Sequence, residues 1–570
     1  MMTSRLLSVW CHRVPRTTYW VKLVERCVSY DMGHHNNIDF CSSGCWCVDK
    51  YSKNLFPNTP PMQSHPQLHN AHLNATSTRM ILRFLTVVLA FASIDAFAPT
   101  PGFRSATLHL TPFPSAPPSI QLDAQDAGCK SETTSLHSTP LPSAPPSIKL
   151  DAQDAWVEQL DYTGFAKEVT ALGKELQKNT GQADVDHLNK IVNWRNIAAA
   201  IGVLTMWMPP NPLTVIALST WTYASWTMIA HHTCHGGYNR VDAGKFNSRG
   251  FALGVKKRIE DWCDWMMHEA WNVEHNRLHH YHLGEEIDPD LVERNLSFLR
   301  EMNIPMPLKY GVALALSPIW KFYYYAPNTF KELQITKWKQ EGRKLPTNFK
   351  PEEPVTLRML FFPKTDSDEA IAEVINPSQF MLQVLAPFLL TRFILLPVPL
   401  LLFPGTLGPT LFSHAVANLV LAELLTNIHG FITIVTNHAG SDLYKFGDEV
   451  QPKSGSFYVR QVVSSANYNS GSDVVDFAHG FLNYQIEHHV WPDLSMLGYQ
   501  LGAPKLKEIC QKYGVPYVKE SVFVRLAKTL NIMVGQSSMR EFPIGMEPEK
   551  DKARKGVTWK STNGAIDEEE

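Results

Sequence analysis

The two longest apolar runs in the sequence follow each other closely, and they limit the possible folds most. Residues 381–403 and 410–436 contain 23 and 27 residues, and each run includes a single charged residue, Arg392 or Glu423. Because an α-helix rises 1.5 Å per residue and the hydrocarbon core of a bilayer is about 30 Å thick, roughly 20 residues suffice to cross it. The pair predicts a membrane hairpin. Two core helices of a soluble enzyme are the disfavoured alternative.

Two further apolar runs precede the first histidine cluster. Residues 196–208 and 213–230 are separated by Pro-Pro-Asn-Pro, and only the second is long enough to predict a span. The aromatic stretch 307–326 contains Pro318 and is expected at the membrane interface. These segments predict an all-α fold, an integral membrane helical bundle with a histidine-rich cap on one side of the bilayer.

Histidines are concentrated near the ends of these runs. The segment 231–282 holds histidines at positions 231, 232, 235, 268, 275, 279, 280 and 282, and a further pair, His488 and His489, lies in "QIEHH". Three clusters result: "HHTCH", "HNRLHH" and "QIEHH". Spacing i, i+4 puts two side chains on one helix face, and imidazole is a ligand for iron, zinc and copper.

The number of predicted spans allows the clusters to meet. Two long runs separate the second cluster from the third, so the chain returns to the side of the membrane from which it started. We therefore expect seven histidines to converge on one site for two metal ions: His231, His235, His275, His279, His280, His488 and His489.

These motifs resemble the three histidine boxes of the membrane fatty acid desaturase family, over roughly residues 200–515. The third box, Gln485 to His489, is similar to that of front-end acyl desaturases. The resemblance implies a helical membrane protein with a di-iron centre that uses O₂ to desaturate a fatty acyl chain. Removing hydrogen from an unactivated CH₂ group requires an oxidant that acid–base side chains cannot supply.

Two features depart from the family pattern. Position 232 is His where many relatives carry Asp, and no His-Pro-Gly-Gly stretch typical of a fused cytochrome b5 domain occurs in the sequence. We therefore expect a separate electron donor, ferredoxin or cytochrome b5, alongside O₂, a fatty acyl lipid substrate and membrane lipids as partners.

Additional residues are candidates for supporting roles. His438, Asn437 and Gln485 are tentative ligands, and His268 and His282 are expected to be outside the ligand set. Histidine ligands need orienting partners, and four nearby acids are available, although each could equally be a surface charge: Glu269, Glu274, Asp288 and Asp290. His414 and His429 lie inside the last span and are expected to face protein or a cavity.

Other functions compete with desaturation. A di-iron hydroxylase or a carotenoid-modifying oxygenase would use the same ligands. A membrane metal transporter would carry polar ligands at mid-membrane on several helices, whereas these clusters lie at span ends. The net charge of −2 and the lack of a basic stripe argue against nucleic-acid binding.

The charges inside the two long runs suggest a pair. Arg392 lies 11 residues before the end of its run and Glu423 lies 13 residues after the start of the next, so an antiparallel hairpin would place them at similar depth. We expect them to pair, because a lone charge at the bilayer centre costs about 2.5–3.5 kcal/mol.

Residues 80–155 have the pattern of targeting sequence. Residues 80–96 read as a signal peptide starting at Met80, and "AFAP" at 96–99 resembles the plastid-targeting junction of algae with secondary plastids. Residues 97–155 read as a transit peptide and a disordered linker with two copies of "PSAPPSI". We expect residues 1–79 to be a gene-model extension, 156–515 the desaturase domain and 516–570 a C-terminal segment with a charged tail. Localisation is a plastid membrane, with the endoplasmic reticulum as the alternative.

We predict that the mature protein lacks residues 1–79 and lies in the plastid. Mass spectrometry of the native protein should find no peptide from this segment, and a fluorescent fusion should reach the plastid. Peptides from residues 1–79 would contradict the first expectation, and a fusion retained in the endoplasmic reticulum would contradict the second.

Overall fold

The computed structural model describes residues 150–262 and 264–553. The expected gene-model extension, the signal peptide and the targeting region up to residue 149 lie outside the described residues, as does the charged tail from residue 554. The described part is predominantly helical, as predicted.

Among the described residues, seven helices have twelve or more residues. They are Tyr162–Asn179 (α1), Gln182–Thr205 (α2), Pro212–Tyr223 (α3), Ala326–Gln340 (α4), Leu407–Ile434 (α5), Met496–Tyr513 (α6) and Val522–Met533 (α7). Shorter helical segments, including 3₁₀ and π turns, are Ala152–Gln159, Ala224–Ala230, His231–Cys234, Gly254–Lys257, Arg258–Trp262, His268–Trp271, Asn272–His279, Val292–Asn295, Ser297–Glu301, Met306–Leu316, Lys321–Tyr325, Leu357–Phe361, Asp366–Ile375, Pro377–Phe380, Met381–Leu385, Ala386–Leu389, Leu390–Leu395, Val398–Leu402, Val435–Asn437, Gly455–Val463, Asp473–Ala478, Leu482–Tyr484, Gln485–Val490 and Glu549–Asp551.

Four two-residue strands form two parallel pairs. Tyr444–Lys445 (β1) pairs with Arg540–Glu541 (β4), and Asn467–Tyr468 (β2) pairs with Lys519–Glu520 (β3). Both pairs join residues before 515 to residues after it.

Among the described residues, two helices are long and apolar enough to cross a membrane, and they match the predicted hairpin; the predicted span 213–230 is not one of them. They are Pro377–Leu402, which is made of several short helical segments, and Leu407–Asn437, which contains α5. In the first, 28 % of the most apolar stretch is buried inside the protein, so most of that helix surface faces outward. Asn376 begins the helix, because its Oδ1 accepts the N–H groups of Ser378 and Gln379 at 3.1 Å.

The helix α3 starts with Pro212, and Asn211 caps it through the N–H of Thr214 at 3.0 Å. It runs without a break through Ala224–Ala230 into His231–Cys234. Hydroxyl groups join it to α5: Ser219 lies 3.0 Å from Thr426, and Tyr223 lies 2.7 Å from Thr433. Because the partner numbers rise together along both helices, α3 and α5 run parallel and end on the same side.

The predicted pair between Arg392 and Glu423 is wrong. The guanidinium of Arg392 donates to Thr222 Oγ1 and to the Leu218 carbonyl, and it lies 4.4 Å from the centre of the Trp221 ring. Glu423 instead forms an ion pair with Lys321 at 2.8 Å. Two residues at similar depth on neighbouring helices need not face each other. Here the carboxylate of Glu423 pairs with Lys321, which comes from another segment.

The aromatic stretch 307–326, expected at the interface, divides into two parts. Leu308 and Leu314 of Met306–Leu316 are exposed, which fits that expectation. Lys321 and Tyr325 are buried. Lys321 has no exposed side-chain surface, and its ammonium also lies 3.2 Å from Asp264. The second half of the stretch is therefore part of the core.

Contacts cross the expected boundaries at residues 155 and 515. Residue Asp154 is buried and accepts hydrogen bonds from Tyr444 Oη at 2.6 Å and from Arg540 at 2.9 Å. Arg525, which is fully buried, binds Asp442 at 2.7 Å. Residues 150–155 and 516–553 therefore pack on the segment 156–515, because the partners of their charged side chains lie there.

We predict that Lys321→Met destabilises the protein by about 3–5 kcal/mol, because Asp264 and Glu423 would remain buried without a cation. Thermal unfolding of the purified protein in detergent measures the loss. The double variant Lys321→Met/Glu423→Gln should recover part of it, because it removes one of the two uncompensated carboxylates.

The matched control is Lys339→Met, which replaces an exposed lysine at the end of α4. An unfolding temperature of Lys321→Met equal to that of this control would contradict the prediction.

Candidate metal centre

Three helical ends bring the predicted histidines together. The first cluster continues α3, the second lies in Asn272–His279 and just after it, and the third lies in Gln485–Val490. The third segment follows a turn in which Gly480 has a φ of +71° and touches α3: a Cβ added there would lie 2.6 Å from Tyr223 Oη. Glycine therefore permits the close approach that brings the third cluster against α3.

Four of the predicted histidines form the first group: His231, His235, His275 and His488. One nitrogen from each lies within 4.8 Å of those of the others. The Nε2 atoms of His231 and His275 are 3.1 Å apart. Two nitrogens bound to one ion at about 2.1 Å and at right angles would be about 3 Å apart, so the spacing suits two ligands of a single ion.

A second group contains His279, His438 and His489, again with ligand atoms within 4.8 Å of one another. His438 follows directly after the predicted span Leu407–Asn437. The structure thus places this tentative ligand with two residues of the predicted set. The two groups adjoin, since the rings of His275 and His279 stack with centroids 5.2 Å apart.

His280 lies between the two groups. Its ring centroid is 4.4 Å from that of His235 and 4.4 Å from that of His489. Both of its ring nitrogens are buried and have no hydrogen-bond partner among the described residues. The seven predicted histidines therefore converge, and His438 joins them.

The two tentative amide ligands are placed differently. Asn437 Nδ2 donates to the Leu482 carbonyl at 2.9 Å and to Gln485 Oε1 at 3.1 Å. This contact turns the amide nitrogen of Gln485 toward His438, 2.9 Å away, and toward His489, 3.2 Å away. In this arrangement Gln485 contacts the Nε2 atoms of both histidines and Asn437 holds the amide of Gln485, while a ligand role for either amide stays a prediction.

Burial favours the uncharged form of most of the clustered imidazoles. Desolvation, followed by the proximity of other imidazoles, holds the pKa of His235, His275 and His280 well below the usual value. The same causes lower the pKa of His488 and His489, and burial lowers that of His438 to about 3. A neutral imidazole is the form that binds a metal ion.

Unsatisfied nitrogens test whether these residues suit metal ions. His235 Nε2 and His488 Nε2 are buried without a hydrogen-bond partner among the described residues, as are both nitrogens of His280. Leaving a buried polar atom unpaired costs about 1–3 kcal/mol, and a cation that binds these lone pairs would remove the cost. The donor set fits two ions of a metal that favours imidazole.

Asp288 orients one candidate ligand. Its Oδ1 lies 2.9 Å from His279 Nδ1, and its Oδ2 accepts the N–H of Gly284 at 2.9 Å. Burial alone would lower the pKa of His279, but the charge and hydrogen bond of Asp288 raise it overall. Because Nδ1 donates to Asp288, Nε2 is available to an ion.

The other three acids have different partners. Glu269 accepts the N–H of Gly254 at 3.0 Å, and Glu274 accepts from Tyr325 Oη at 3.4 Å. Asp290 lies 3.8 Å from His279 Nδ1, and one of its oxygens lies near His275 and His279 in a third possible ion-binding set. Of the four acids considered, Asp288 has the direct hydrogen bond.

The remaining histidines near the clusters bind protein groups. His232 Nδ1 and His268 Nδ1 each lie 2.6 Å from a backbone carbonyl, of Met228 and Phe251 respectively. His282 Nδ1 pairs with Glu285 at 2.6 Å. The two histidines inside the last span do the same: His414 Nδ1 lies 3.3 Å from the Trp207 carbonyl, and His429 Nε2 lies 2.7 Å from that of Ala478.

Two contacts to the candidate ligands escaped the sequence analysis. Tyr499 Oη lies 3.3 Å from His488 Nδ1, and the Thr227 carbonyl lies 3.3 Å from His231 Nδ1. The second follows from helical i, i+4 geometry and could have been foreseen. The first joins Gln485–Val490 to α6, and no signal in the sequence points to it.

We predict that Asp288→Asn weakens binding of one metal ion about 10–100-fold, the usual effect of losing a carboxylate that orients a histidine ligand. Metal content after dialysis against a graded chelator measures this change. Glu286→Gln is the matched control, because Glu286 is exposed two residues away. Equal metal retention by the two variants would contradict the role assigned to Asp288.

Comparisons with known proteins agree with this geometry. The model of the fatty acid desaturase family matches residues 205–521, more than half of the chain. An NADPH-dependent stearoyl-CoA 9-desaturase of Mycobacterium tuberculosis is 33 % identical over 124 residues, 21 % of this chain and 29 % of that protein. A Delta(8)-fatty-acid desaturase of Euglena gracilis is 35 % identical over 97 residues, 17 % of this chain and 22 % of that protein.

A longer match is to an acyl-lipid (7-3)-desaturase of Diacronema lutheri, 25 % identical over 290 residues, 51 % of this chain and 55 % of that protein. The chain thus spans about half or less of the length of these three relatives. No solved structure matches it. Since the family model covers more than half of the sequence and includes all three histidine clusters, the chain belongs to the fatty acid desaturase family.

Proposed function

We propose that this protein is an O₂-dependent desaturase that introduces a double bond into a fatty acyl chain. The observation that carries the proposal is the convergence of histidines from distant parts of the sequence into two adjacent groups, each suited to one metal ion. Similarity to relatives named as fatty acid desaturases supports the choice of reaction.

The proposed cofactor is a pair of iron ions. His231, His235, His275 and His488 would hold one ion, His279, His438 and His489 the other, and His280 lies between them. Two irons bound there would supply the oxidising power, taken from O₂, for removing hydrogen from an unactivated CH₂ group. The chain's own residues bury the site, keep most of the imidazoles neutral and orient two of them through Asp288 and Tyr499.

We further propose that Pro377–Leu402 and Leu407–Asn437 cross a membrane as a hairpin. Their connection is four residues long, so the Pro377 end and the His438 end lie on the same side. The metal centre would then sit at one membrane surface. A plastid membrane is the proposed location, from the "AFAP" junction, with the endoplasmic reticulum as the alternative.

Front-end regioselectivity and a separate electron donor complete the proposal. "QIEHH" and the relative named as a Delta(8)-fatty-acid desaturase support the first. The donor is ferredoxin or cytochrome b5. Reduction by a separate protein requires a metal centre close to a surface that the donor can reach. The proposed position of the metal centre at the end of the hairpin meets this requirement.

The test is expression of the chain in a host supplied with defined fatty acids, followed by location of new double bonds by mass spectrometry. Wild type should give an unsaturated product. His275→Ala and His489→Ala, one from each group, should give none, because a metal ion loses a ligand. Each variant should also bind less iron.

The matched control is His414→Ala, since His414 contacts a backbone carbonyl far from both groups in the fold. It should retain activity and iron. A hydroxylated product without a double bond would replace the desaturase proposal with a hydroxylase, and full activity of His275→Ala would overturn the assigned centre.

A further inference from the structure

An apolar cleft of about 520 Å³ lies where the first proposed span begins. Its walls come from three separate segments: Tyr323 of Lys321–Tyr325, Phe361 and Phe362 around the end of Leu357–Phe361, and Met381 and Leu385 of Met381–Leu385. None of these residues is a candidate metal ligand or a hydrogen-bond partner of one.

The cleft opens onto apolar surface. Phe362 at its edge is 70 % exposed, and Leu382, which follows Met381 in the span, is 69 % exposed. Farther along the same helix Leu390 is also exposed. The mouth of the cleft is therefore continuous with the surface that the proposed span would present to lipid.

The cleft lies near the end of the first proposed span that is on the same side as His438. Met381 and Leu385 are four and eight residues from Pro377, or about 6–12 Å along a helix axis. The wall residue Tyr323 lies two residues before Tyr325, which donates to Glu274, the neighbour of His275 in sequence.

The charged residues around the cleft indicate whether it suits an acyl chain carried by coenzyme A or one carried by a lipid. Of the described residues that line the cleft, Arg358 is the charged one, and two of its nitrogens lie 3.0 and 3.3 Å from the oxygens of Asp368. Its charge is thus compensated within the protein. An acyl-CoA carries several phosphate charges, and the cleft offers no free cation for them.

From these observations we propose that the cleft is a lateral entrance for the acyl chain of a bilayer glycerolipid on its way to the metal centre. The inference rests on the proposed function and adds to it the carrier of the substrate and the route by which it arrives. The chain enters sideways from the bilayer and lies against Phe361, Met381 and Leu385, while its polar end stays at the interface.

The experiment uses the full chain in nanodiscs of phosphatidylcholine, part of which carries a photoreactive diazirine on its acyl chain. After irradiation, mass spectrometry maps the labelled peptides. The expected label is concentrated on residues 357–362 and 381–385. Label spread evenly along 377–402 would overturn the entrance, because it would show only general contact with lipid.

A second arm fills the cleft. Met381→Trp should reduce both the label on residues 357–362 and the turnover of glycerolipid-bound acyl chains by about tenfold, the effect of losing the burial of about two methylene groups. Leu390→Trp is the matched control: it adds the same bulk at an exposed position of the same helix outside the cleft. It should leave label and turnover unchanged.

The two arms separate this inference from the proposed function. If no variant or wild type desaturates anything but the label still concentrates at the cleft and falls in Met381→Trp, the lipid site stands and the reaction proposal fails. If wild type desaturates and Met381→Trp matches Leu390→Trp, the entrance is wrong and the reaction stands. Faster turnover of acyl-CoA than of glycerolipid, unaffected by Met381→Trp, would also overturn the entrance.

Discussion

Imidazole rings from four parts of the chain pack against one another in the protein interior, and several of their nitrogens have no hydrogen-bond partner among the described residues. Burial depresses the pKa of most of them, so repulsion between charged rings is avoided. The unpaired nitrogens still carry a cost, which bound cations would offset. The proposed binding of metal ions would therefore be coupled to the folding of this region, as it is wherever a site forms only in the folded state.

The imidazole rings are held in place by helices whose ends lie on the same side of the protein. The parallel helices α3 and α5 are joined by buried hydroxyl pairs, and His231 and His438 follow at their ends. Lys321 links Glu423 of α5 to Asp264, four residues before the helix that leads into the second cluster. Hydrogen bonds and ion pairs inside apolar surroundings are directional, so they select one alignment of these helices.

A second buried network supports the segment after the second cluster. Arg460, 1 % exposed, contacts Glu285 at 2.8 Å, and its Nε lies 2.8 Å from Glu547. Glu285 in turn accepts from His282. Glu547, from the C-terminal part, thus helps to neutralise the guanidinium of Arg460. This contact packs residues beyond 515 against the segment that precedes them.

The sequence by itself determined the helical hairpin and the three histidine clusters, and it predicted that the clusters can meet on one side of a membrane. Length and i, i+4 spacing are local properties, and the predicted number of crossings follows from them. The tertiary structure alone decided the partners: Asp288 among four acids, Asn437 for the amide of Gln485, Lys321 rather than Arg392 for Glu423, and the packing of residues 150–155 and 516–553. These contacts join residues that are far apart in the sequence, and they depend on which helix faces meet. The local periodicity of the sequence does not predict which faces meet.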